Sequence, residues 1–486
     1  MTTAPTVLAV LRSPRALTVE VLAGVVTTLA LIPEVISFSV IAGVDPKVSL
    51  IASVVLAISM SFLGGRPAMI TAAAGAVALV VAPLVKEHGV EYLLPAVVLA
   101  GLIQVLFGVT GLARIMRFIP RSVMIGFVNA LGILIFVAQV PHLLGVPWLV
   151  YPLFALTVAI VLILPRFTTA VPAPLVAIVV ATAITAIAHL NLPTVADQGA
   201  IGGGLPGITP LLVPLNLETL SIIWPTALSV AFVGLMETLL TAKLVDDITD
   251  TRSNKGRESW ALGIANILAG FYGGIAGCAM IGQTVVNVKL GRARTRISTF
   301  VAGVFLLLLV TVLSGVMELI PMVALAAVMM IVAIRTVDWH SVRPSTLRRM
   351  PLSETLVMLT TVAIVVVTSN LAIGVAAGAV LAMVLFARRV AHVARVSRTE
   401  ADDRVRYTVS GPLFFGSSND LVEQFSYADD AAEVVIDFSA AQIWDASTVA
   451  VLDSVQTKYA EHGCTVTFTG LDERSTALHG RLSGFL

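Results

Sequence analysis

Long apolar segments recur along most of this chain, and they restrict its fold more than any other feature of the sequence. Crossing the hydrocarbon core of a bilayer takes about 20 predominantly apolar residues in a helix. The chain is 57% hydrophobic and only 12% charged, with a mean hydropathy of +0.97, which excludes an ordinary soluble protein. We predict a polytopic α-helical membrane protein with fourteen transmembrane segments, near residues 19–43, 49–64, 68–84, 92–112, 120–143, 147–165, 173–190, 220–244, 258–275, 280–290, 297–317, 320–335, 353–369 and 371–391.

Lysine and arginine residues are distributed unevenly between the two sides of these segments. The N-terminus and the loops after even-numbered segments hold 23 of the 30, the loops after odd-numbered segments hold two, and the C-terminal tail holds five. Because cytoplasmic loops carry the excess of basic residues, both termini are predicted to be cytoplasmic, with the chain in the cell inner membrane. No basic surface interleaved with aromatic residues appears, so nucleic acid is not an expected partner.

The third and tenth segments differ from the others because they are short and rich in small or polar residues. Residues 70–76 read Ile-Thr-Ala-Ala-Ala-Gly-Ala, and residues 277–283 read Gly-Cys-Ala-Met-Ile-Gly-Gln. Such segments at corresponding places in two halves of a chain are typical of the broken helices of transporters. The alternative is close helix packing through small residues.

Helix N-termini at such breaks would offer backbone N–H groups and positive dipole ends to an anion. Gly75, Gly277 and Gly282 would let a substrate approach the backbone closely. The candidate substrate-binding residues are Glu34, Phe38, Thr71, Ala72, Ala73, Ala74, Ile281, Gly282, Gln283 and Thr284.

Two carboxylates fall well inside the apolar segments, Glu34 in the first and Glu237 in the eighth. Ionisable groups at membrane depth are costly and mark functional sites, although neighbouring helices can also hold them in a purely structural role. Glu34 follows Pro33, which loosens the helix, and Glu237 shares a helix face with Thr241. Burial favours the protonated carboxyl group, so Glu237 with Thr241 is the candidate site for coupling to a proton or another cation.

The sequence changes character after Arg398. Val405, Tyr407 and Val409 alternate with polar residues as in a half-buried strand, and two further strands are predicted at 433–438 and 464–469. An apolar helix follows Asp445, which is the expected N-cap. We therefore divide the chain into a transmembrane transport domain, residues 1–398, and a small cytoplasmic α/β domain, residues 399–486.

These features argue against an enzyme. No glycine-rich phosphate loop and no grouping of nucleophile, base and orienting residue is visible, and neither a metal site nor a cofactor is expected. The two cysteines, Cys278 and Cys464, imply no disulfide framework.

Together these residues resemble the SulP family of anion transporters, the bacterial relatives of solute carrier family 26. The similarity covers nearly the whole chain, and it includes a tail that resembles a STAS domain, with Asp445-Ala446-Ser447 at its loop-to-helix signature. The membrane part carries the motifs at residues 22–24, 32–34, 120–127, 204–206, 237–258, 263–266 and at Asn287.

The resemblance implies two inverted seven-helix repeats arranged as a core and a gate domain. The substrate would lie between the third and tenth helices, flanked by the first and eighth. The resemblance also implies a homodimer and an elevator-like movement of the core against the gate.

Two positions depart from the family pattern. Many eukaryotic members carry an arginine where this chain has Gln283, which favours a carboxylate substrate and leaves Glu237 as the group that couples to a cation. In the tail, Ala446 stands where phosphorylated STAS domains place serine or threonine, which argues against a phospho-switch.

We therefore expect a secondary active transporter of a small anion, such as a C4-dicarboxylate like fumarate, bicarbonate or sulfate, by proton symport. The alternatives are a sodium-coupled bicarbonate symporter, an anion channel, a nucleobase carrier, or a membrane-anchored signalling protein that acts through its STAS domain.

Overall fold

A computed structural model describes residues 6–112, 119–168, 171–199, 207–214, 216–391, 393–401, 404–430 and 432–484. The chain separates into two compact units, Met1–Ala379 and Val380–Leu486. The first is helical and the second combines a sheet with helices. The predicted motif at 204–206 lies outside the described residues.

The first unit follows the predicted apolar segments closely. Each of the fourteen coincides with a helix; the third also includes a strand, and the tenth directly follows one. The helices of the chain up to residue 391 are α1 (Val7–Leu11), α2 (Pro14–Ala42), α3 (Pro46–Leu63), α4 (Gly75–His88), α5 (Leu93–Thr110), α6 (Arg121–Gln139), α7 (Val150–Ile163), α8 (Ala173–Ile187), α9 (Leu217–Thr249), α10 (Lys255–Phe271), α11 (Ile281–Val285), α12 (Arg296–Val312), α13 (Ser314–Glu318), α14 (Met322–Thr336), α15 (Pro344–Arg349), α16 (Leu352–Thr368) and α17 (Leu371–Ala391).

Among the described residues, six helical stretches are long and apolar enough to cross a membrane, and five more are apolar but shorter. A π-helical turn, Val286–Leu290, continues α11. Short 3₁₀ turns lie at Val90–Tyr92, Val140–Leu143, Leu164–Arg166 and Val195–Gln198. The chain is thus a multi-pass membrane protein, while the number of fourteen spans stays a prediction.

Helix ends follow local sequence signals. Ser13 caps α2 with Pro14 at its first position, and Gly43 ends that helix in the left-handed conformation. Ser369 takes the same left-handed conformation between α16 and α17, which separates two apolar runs that hydropathy alone nearly merges. Pro33 lies inside α2 without ending it.

The third and tenth segments are not continuous helices. The third contains the three-residue strand β1 (Thr71–Ala73) before α4, and the three-residue strand β2 (Gly277–Ala279) immediately precedes the tenth segment and its helix α11. The two strands pair with each other in antiparallel register, with Thr71 opposite Ala279. Extended backbone at membrane depth must satisfy its N–H and C=O groups within the protein, and this pairing satisfies part of them.

The helices around this strand pair approach one another closely. A side chain on Gly101 of α5 would lie 2.6 Å from the carbonyl oxygen of Gly263 on α10, so these two helices are in backbone contact. Helix α3 packs against α2, α10 and α12, and α9 packs against α4, α5 and β2. A separate set of contacts joins α6 to α14 and α16, and α7 to α8 and α14.

The second unit contains a four-stranded sheet with the order β3-β4-β5-β6. Strand β3 pairs antiparallel with β4, and the β4–β5 and β5–β6 pairs are parallel. Tyr407, Phe438, Leu452 and Tyr459 lie in its buried core. The strands are β3 (Arg395–Ala401), β4 (Arg404–Leu413), β5 (Glu433–Ile443) and β6 (Thr465–Thr469), and the helices are α18 (Phe415–Val422), α19 (Ala446–Glu461) and α20 (Glu473–Leu482).

This sheet confirms the three predicted strands and adds β3, which sequence reasoning missed. Asp445 is the N-cap of α19, as predicted, and its carboxylate accepts a hydrogen bond from the Thr448 N–H at 3.0 Å.

Candidate functional site

The paired strands β1 and β2 bring the two predicted halves of the site together. Residues 71–74 are fully or almost fully buried, and so are Gln283 and Thr284. Ile281 is partly buried and Gly282 is exposed. The strands lead directly into helices that begin at Gly75 and Ile281, so both helix N-termini lie at the ends of the strand pair.

Hydrogen bonds fix the backbone of this pair. The Ile70 N–H donates to the Thr284 hydroxyl at 3.0 Å, and the Met280 N–H donates to the Ile70 carbonyl at 2.9 Å. The Ala73 N–H donates to the hydroxyl of Ser53 on α3 at 3.1 Å. The hydroxyl of Thr71 is buried and has no hydrogen-bond partner among the described residues.

The three glycines of the predicted site have different surroundings. A side chain on Gly75 would meet the ring of Phe38 at 2.7 Å, so the buried Phe38 packs directly on the start of α4. A side chain on Gly277 would collide with Ala72 on the partner strand. Only Gly282 of these three faces open space, with no atom within 4 Å of its would-be Cβ. Gly75 and Gly277 thus serve packing, and Gly282 fits close approach by a substrate.

Glu34 and Gln283 meet from opposite halves of the chain. Glu34 is partly buried on α2, one residue after Pro33, and its carboxylate interacts with the side-chain amide of Gln283 on α11. A carboxylate and an amide therefore stand beside the strand pair, on the side of α2. The amide can donate to an anion or to Glu34, but not with the same N–H group.

Glu237 lies against the second strand from the side of α9. Its side chain is buried, with 7% exposed, and the Cys278 thiol is 2.9 Å from the Glu237 Oε2 atom. The Thr241 hydroxyl lies 2.8 Å from the Glu237 carbonyl oxygen and 3.4 Å from that of Ala279. The predicted common face of Glu237 and Thr241 is therefore turned toward β2, but the Thr241 hydroxyl contacts backbone and not the Glu237 carboxylate.

A chain of buried amides holds β2 in place from the other side. Asn266 accepts a hydrogen bond from the Gly277 N–H at 2.8 Å and donates to the Gly277 carbonyl at 3.2 Å. It also donates to the Gln104 side chain at 2.8 Å. Gln104, Ser53 and Cys278 were not among the site residues predicted from the sequence. For Gln104 and Ser53 the signal in the sequence is a polar side chain inside an apolar helix, whereas Cys278 lies in a strand.

A charged cluster lies near the loop that precedes β1. The Arg66 guanidinium donates to Asp246 at 3.0 Å and to Thr251 at 2.7 Å, while Lys255 donates to the other oxygen of Asp246 at 2.8 Å. Burial lowers the pKa of the Arg66 guanidinium, and the Asp246 carboxylate opposes that shift. Glu258 accepts hydrogen bonds from the Gly65 and Arg66 N–H groups. These contacts anchor the loop from α3 to β1 on the α9–α10 connection.

Within the part of the chain that the structure describes, no group of three or more histidine, cysteine, aspartate or glutamate side chains could hold a metal ion. The polar groups at the strand pair are instead hydroxyls, amides, two carboxylates and the Cys278 thiol. Such a set suits reversible binding of a small polar solute.

Comparison with known proteins agrees with this architecture. The sequence profile of the "Sulfate permease family" matches residues 17–158 and 149–361, and the "STAS domain" profile matches residues 395–484. The "Putative sulfate transporter YbaR" of Bacillus subtilis is 50% identical over 459 residues, which cover 94% of this chain and 95% of that protein. The "Bicarbonate transporter BicA" of Synechocystis is 25% identical over 471 residues, 86% of this chain and 82% of that protein.

Solved structures show the same fold. The murine Solute Carrier 26 family member A9 anion transporter, in the inward-facing state, superimposes with a TM-score of 0.83 at 16% identity, and the match covers 96% of this chain and 87% of that chain. The two family profiles and the 50%-identical relative confirm the resemblance inferred from the sequence. The chain belongs to the sulfate permease family of membrane-spanning transporters, and it carries a C-terminal STAS domain.

Proposed function

We propose that the protein is a secondary active transporter that carries a small anion together with a proton. The main support is the convergence of two strand–helix junctions from distant parts of the chain, with Glu34 and Gln283 on one side and Glu237 on the other. Membership of a transporter family whose relatives are named for sulfate and bicarbonate agrees with an anion as cargo.

The substrate would bind beside β1 and β2, near the helix N-termini at Gly75 and Ile281. The candidate binding residues are Glu34, Phe38, Thr71, Ala72, Ala73, Ala74, Ile281, Gly282, Gln283 and Thr284. None of them is a cation, so recognition depends on hydroxyl, amide and backbone N–H donors. A donor set without arginine favours a carboxylate, such as fumarate or another C4-dicarboxylate, or bicarbonate, over sulfate, which concentrates two negative charges on one small ion.

Glu237 would carry the proton, with Thr241 beside it. A buried carboxylate without a cationic partner is most stable when protonated, so its charge state can change with access to the two sides of the membrane. A sodium-coupled bicarbonate carrier is the second candidate, because one relative is named as a bicarbonate transporter. An anion channel and a signalling protein remain further alternatives.

The proposed mechanism is an elevator-like movement of a core that contains the strand pair against a gate. The separate packing of α6, α14 and α16 supports such a division. We also propose that the chain has fourteen spans arranged as two inverted repeats, and that the protein is a homodimer. The transport domain would cover residues 1–398 and the STAS domain residues 399–486, with both termini cytoplasmic in the inner membrane.

The deciding experiment is uptake of labelled fumarate, bicarbonate and sulfate into proteoliposomes, with and without an inward proton gradient. Wild type is compared with Glu237→Gln, which keeps the side-chain volume but cannot ionise. Glu218→Gln is the matched control, because Glu218 is exposed near the start of the same helix.

We expect gradient-driven accumulation in wild type and in the control, and its loss in Glu237→Gln. Accumulation that keeps its proton dependence in Glu237→Gln would contradict the coupling role. Anion flux only down its own concentration gradient, without accumulation under a proton gradient, would support the channel.

A further inference from the structure

Cys278 occupies a position beside Glu237 that the proposed function has not used. It is the middle residue of β2, its side chain is fully buried, and it lies opposite Ala72 of β1. Its sulfur is 2.9 Å from the Glu237 Oε2 atom, so a thiol and a carboxylate are in direct contact between β2 and α9.

The other polar groups at this place are engaged with backbone. The Thr238 hydroxyl accepts a hydrogen bond from the Ala279 N–H at 3.0 Å, and the Thr241 hydroxyl contacts the carbonyl groups of Glu237 and Ala279. From α5 and α10, Gln104 and Asn266 bind each other, and Asn266 binds Gly277. None of these side chains is titratable. Among the described residues, the Cys278 thiol is thus the titratable group that contacts the Glu237 carboxylate.

We infer that Cys278 is a specificity-determining residue that makes the Glu237 site accept a proton in preference to a sodium ion. The inference rests on the proposed function, because it assigns the coupling ion of the same site. The thiol is a weak donor and a weak acceptor. It can donate its S–H to the ionised carboxylate and accept the O–H of the protonated one, so it tolerates both states.

A sodium ion makes different demands. Hard cations bind to oxygen ligands, whereas neutral sulfur is a poor ligand for them. At Glu237 the sulfur stands next to the carboxylate oxygen, where a second oxygen ligand would be needed. Sodium would have to displace the thiol from a fully buried position, while a proton needs no additional ligand.

The transport test compares two substitutions at this position. Cys278→Ser replaces sulfur by oxygen with little change in shape, and Cys278→Ala removes the group. Cys464→Ser is the matched control, because Cys464 is the other cysteine of the chain and lies in the second unit. Uptake of the labelled anion is driven in turn by a proton gradient and by a sodium gradient.

We expect proton-driven uptake in wild type and in Cys464→Ser. In Cys278→Ser the ratio of proton-driven to sodium-driven uptake should fall about tenfold or more, the effect of changing one buried partner of a charged group. Cys278→Ala should reduce proton-driven uptake without any gain with sodium. If protons drive uptake in wild type and neither Cys278 variant changes the ion preference, this inference is overturned and the proton-coupling proposal stands. A sodium-driven wild type overturns the proton-coupling proposal as well.

An independent readout follows the thiol itself. In Cys464→Ser the infrared S–H stretching band comes from Cys278 alone, and a hydrogen bond to a carboxylate displaces that band to lower frequency. Adding Glu237→Gln should move the band back toward higher frequency. A band that is the same in both proteins, measured above the pH at which Glu237 ionises, would show that the thiol does not donate to Glu237, and it would overturn the inference whatever the transport results.

Discussion

Substituting Gly277 by alanine tests whether the strand pair holds the site together. The added methyl carbon would lie 2.7 Å from the carbonyl carbon of Ala72, closer still to its oxygen, and in collision with Leu56 on α3. Ordinary van der Waals contacts begin at 3.4 Å, so the strands must separate by several tenths of an ångström or more. Overpacking of this kind costs about 1–3 kcal/mol. Weakening the hydrogen bonds of the pair adds about 1 kcal/mol.

The expected loss is therefore about 2–4 kcal/mol in the free energy of unfolding, seen as a fall of roughly 2–4 °C in the melting temperature of the detergent-solubilised protein. Gly315→Ala is the control, because a methyl group at Gly315 meets no atom within 4 Å. Transport by Gly277→Ala should be lost at temperatures where the protein remains folded. If Gly277→Ala melts and transports like Gly315→Ala, the strand pair is not the rigid element that we describe.

Three further predictions follow. Asn266→Ala leaves the N–H and C=O of Gly277 without their side-chain partner and should lower the free energy of unfolding by about 2–4 kcal/mol, measured by thermal unfolding in detergent. Gly282→Ala should leave the melting temperature unchanged but raise the KM for the anion, measured by uptake kinetics, because it fills the open face at α11. In the second unit, Ser439 and Arg406 lower the pKa of Asp437 to about 2. Since this folded-state pKa lies below the unfolded value, about 1–2 kcal/mol of stability should be present above pH 4 and be lost as the pH falls toward 2. Urea unfolding of wild type and Asp437→Asn at several pH values checks this. It is followed by Trp444 fluorescence, with the other four tryptophans replaced by phenylalanine in both proteins. The loss of stability at low pH should be absent in Asp437→Asn.

The helices could be predicted from the sequence because each depends on the length of one uninterrupted apolar segment, which is visible in neighbouring residues. The split at Ser369 and the cap at Asp445 could be predicted for the same reason, since each depends on a few neighbouring residues. Strand β3 was missed because Arg395–Ala401 is polar, and its pairing with β4 and its contacts with Gln424 and Asp430 are formed with residues outside the segment.

The candidate site was predicted in its location but not in its contacts. Their short length and their small or polar residues distinguished residues 70–76 and 277–283, and the structure brings these two segments together as β1 and β2. The partner of each strand could not be read from composition, because it lies in the other half of the chain. For the same reason, the thiol beside Glu237 and the amide beside Glu34 were not foreseen.

The β1–β2 pair also has a consequence for how the protein is made. Thr71 and Ala279 pair although they are 208 residues apart in the sequence. At synthesis rates of about 5–20 residues per second, the first strand waits roughly 10–40 s for its partner. During that interval its backbone N–H and C=O groups lack their final partners, which is costly at membrane depth. The third segment therefore has to remain near water or near the insertion machinery until the tenth has been synthesised, so the first half of the protein cannot complete its membrane assembly alone.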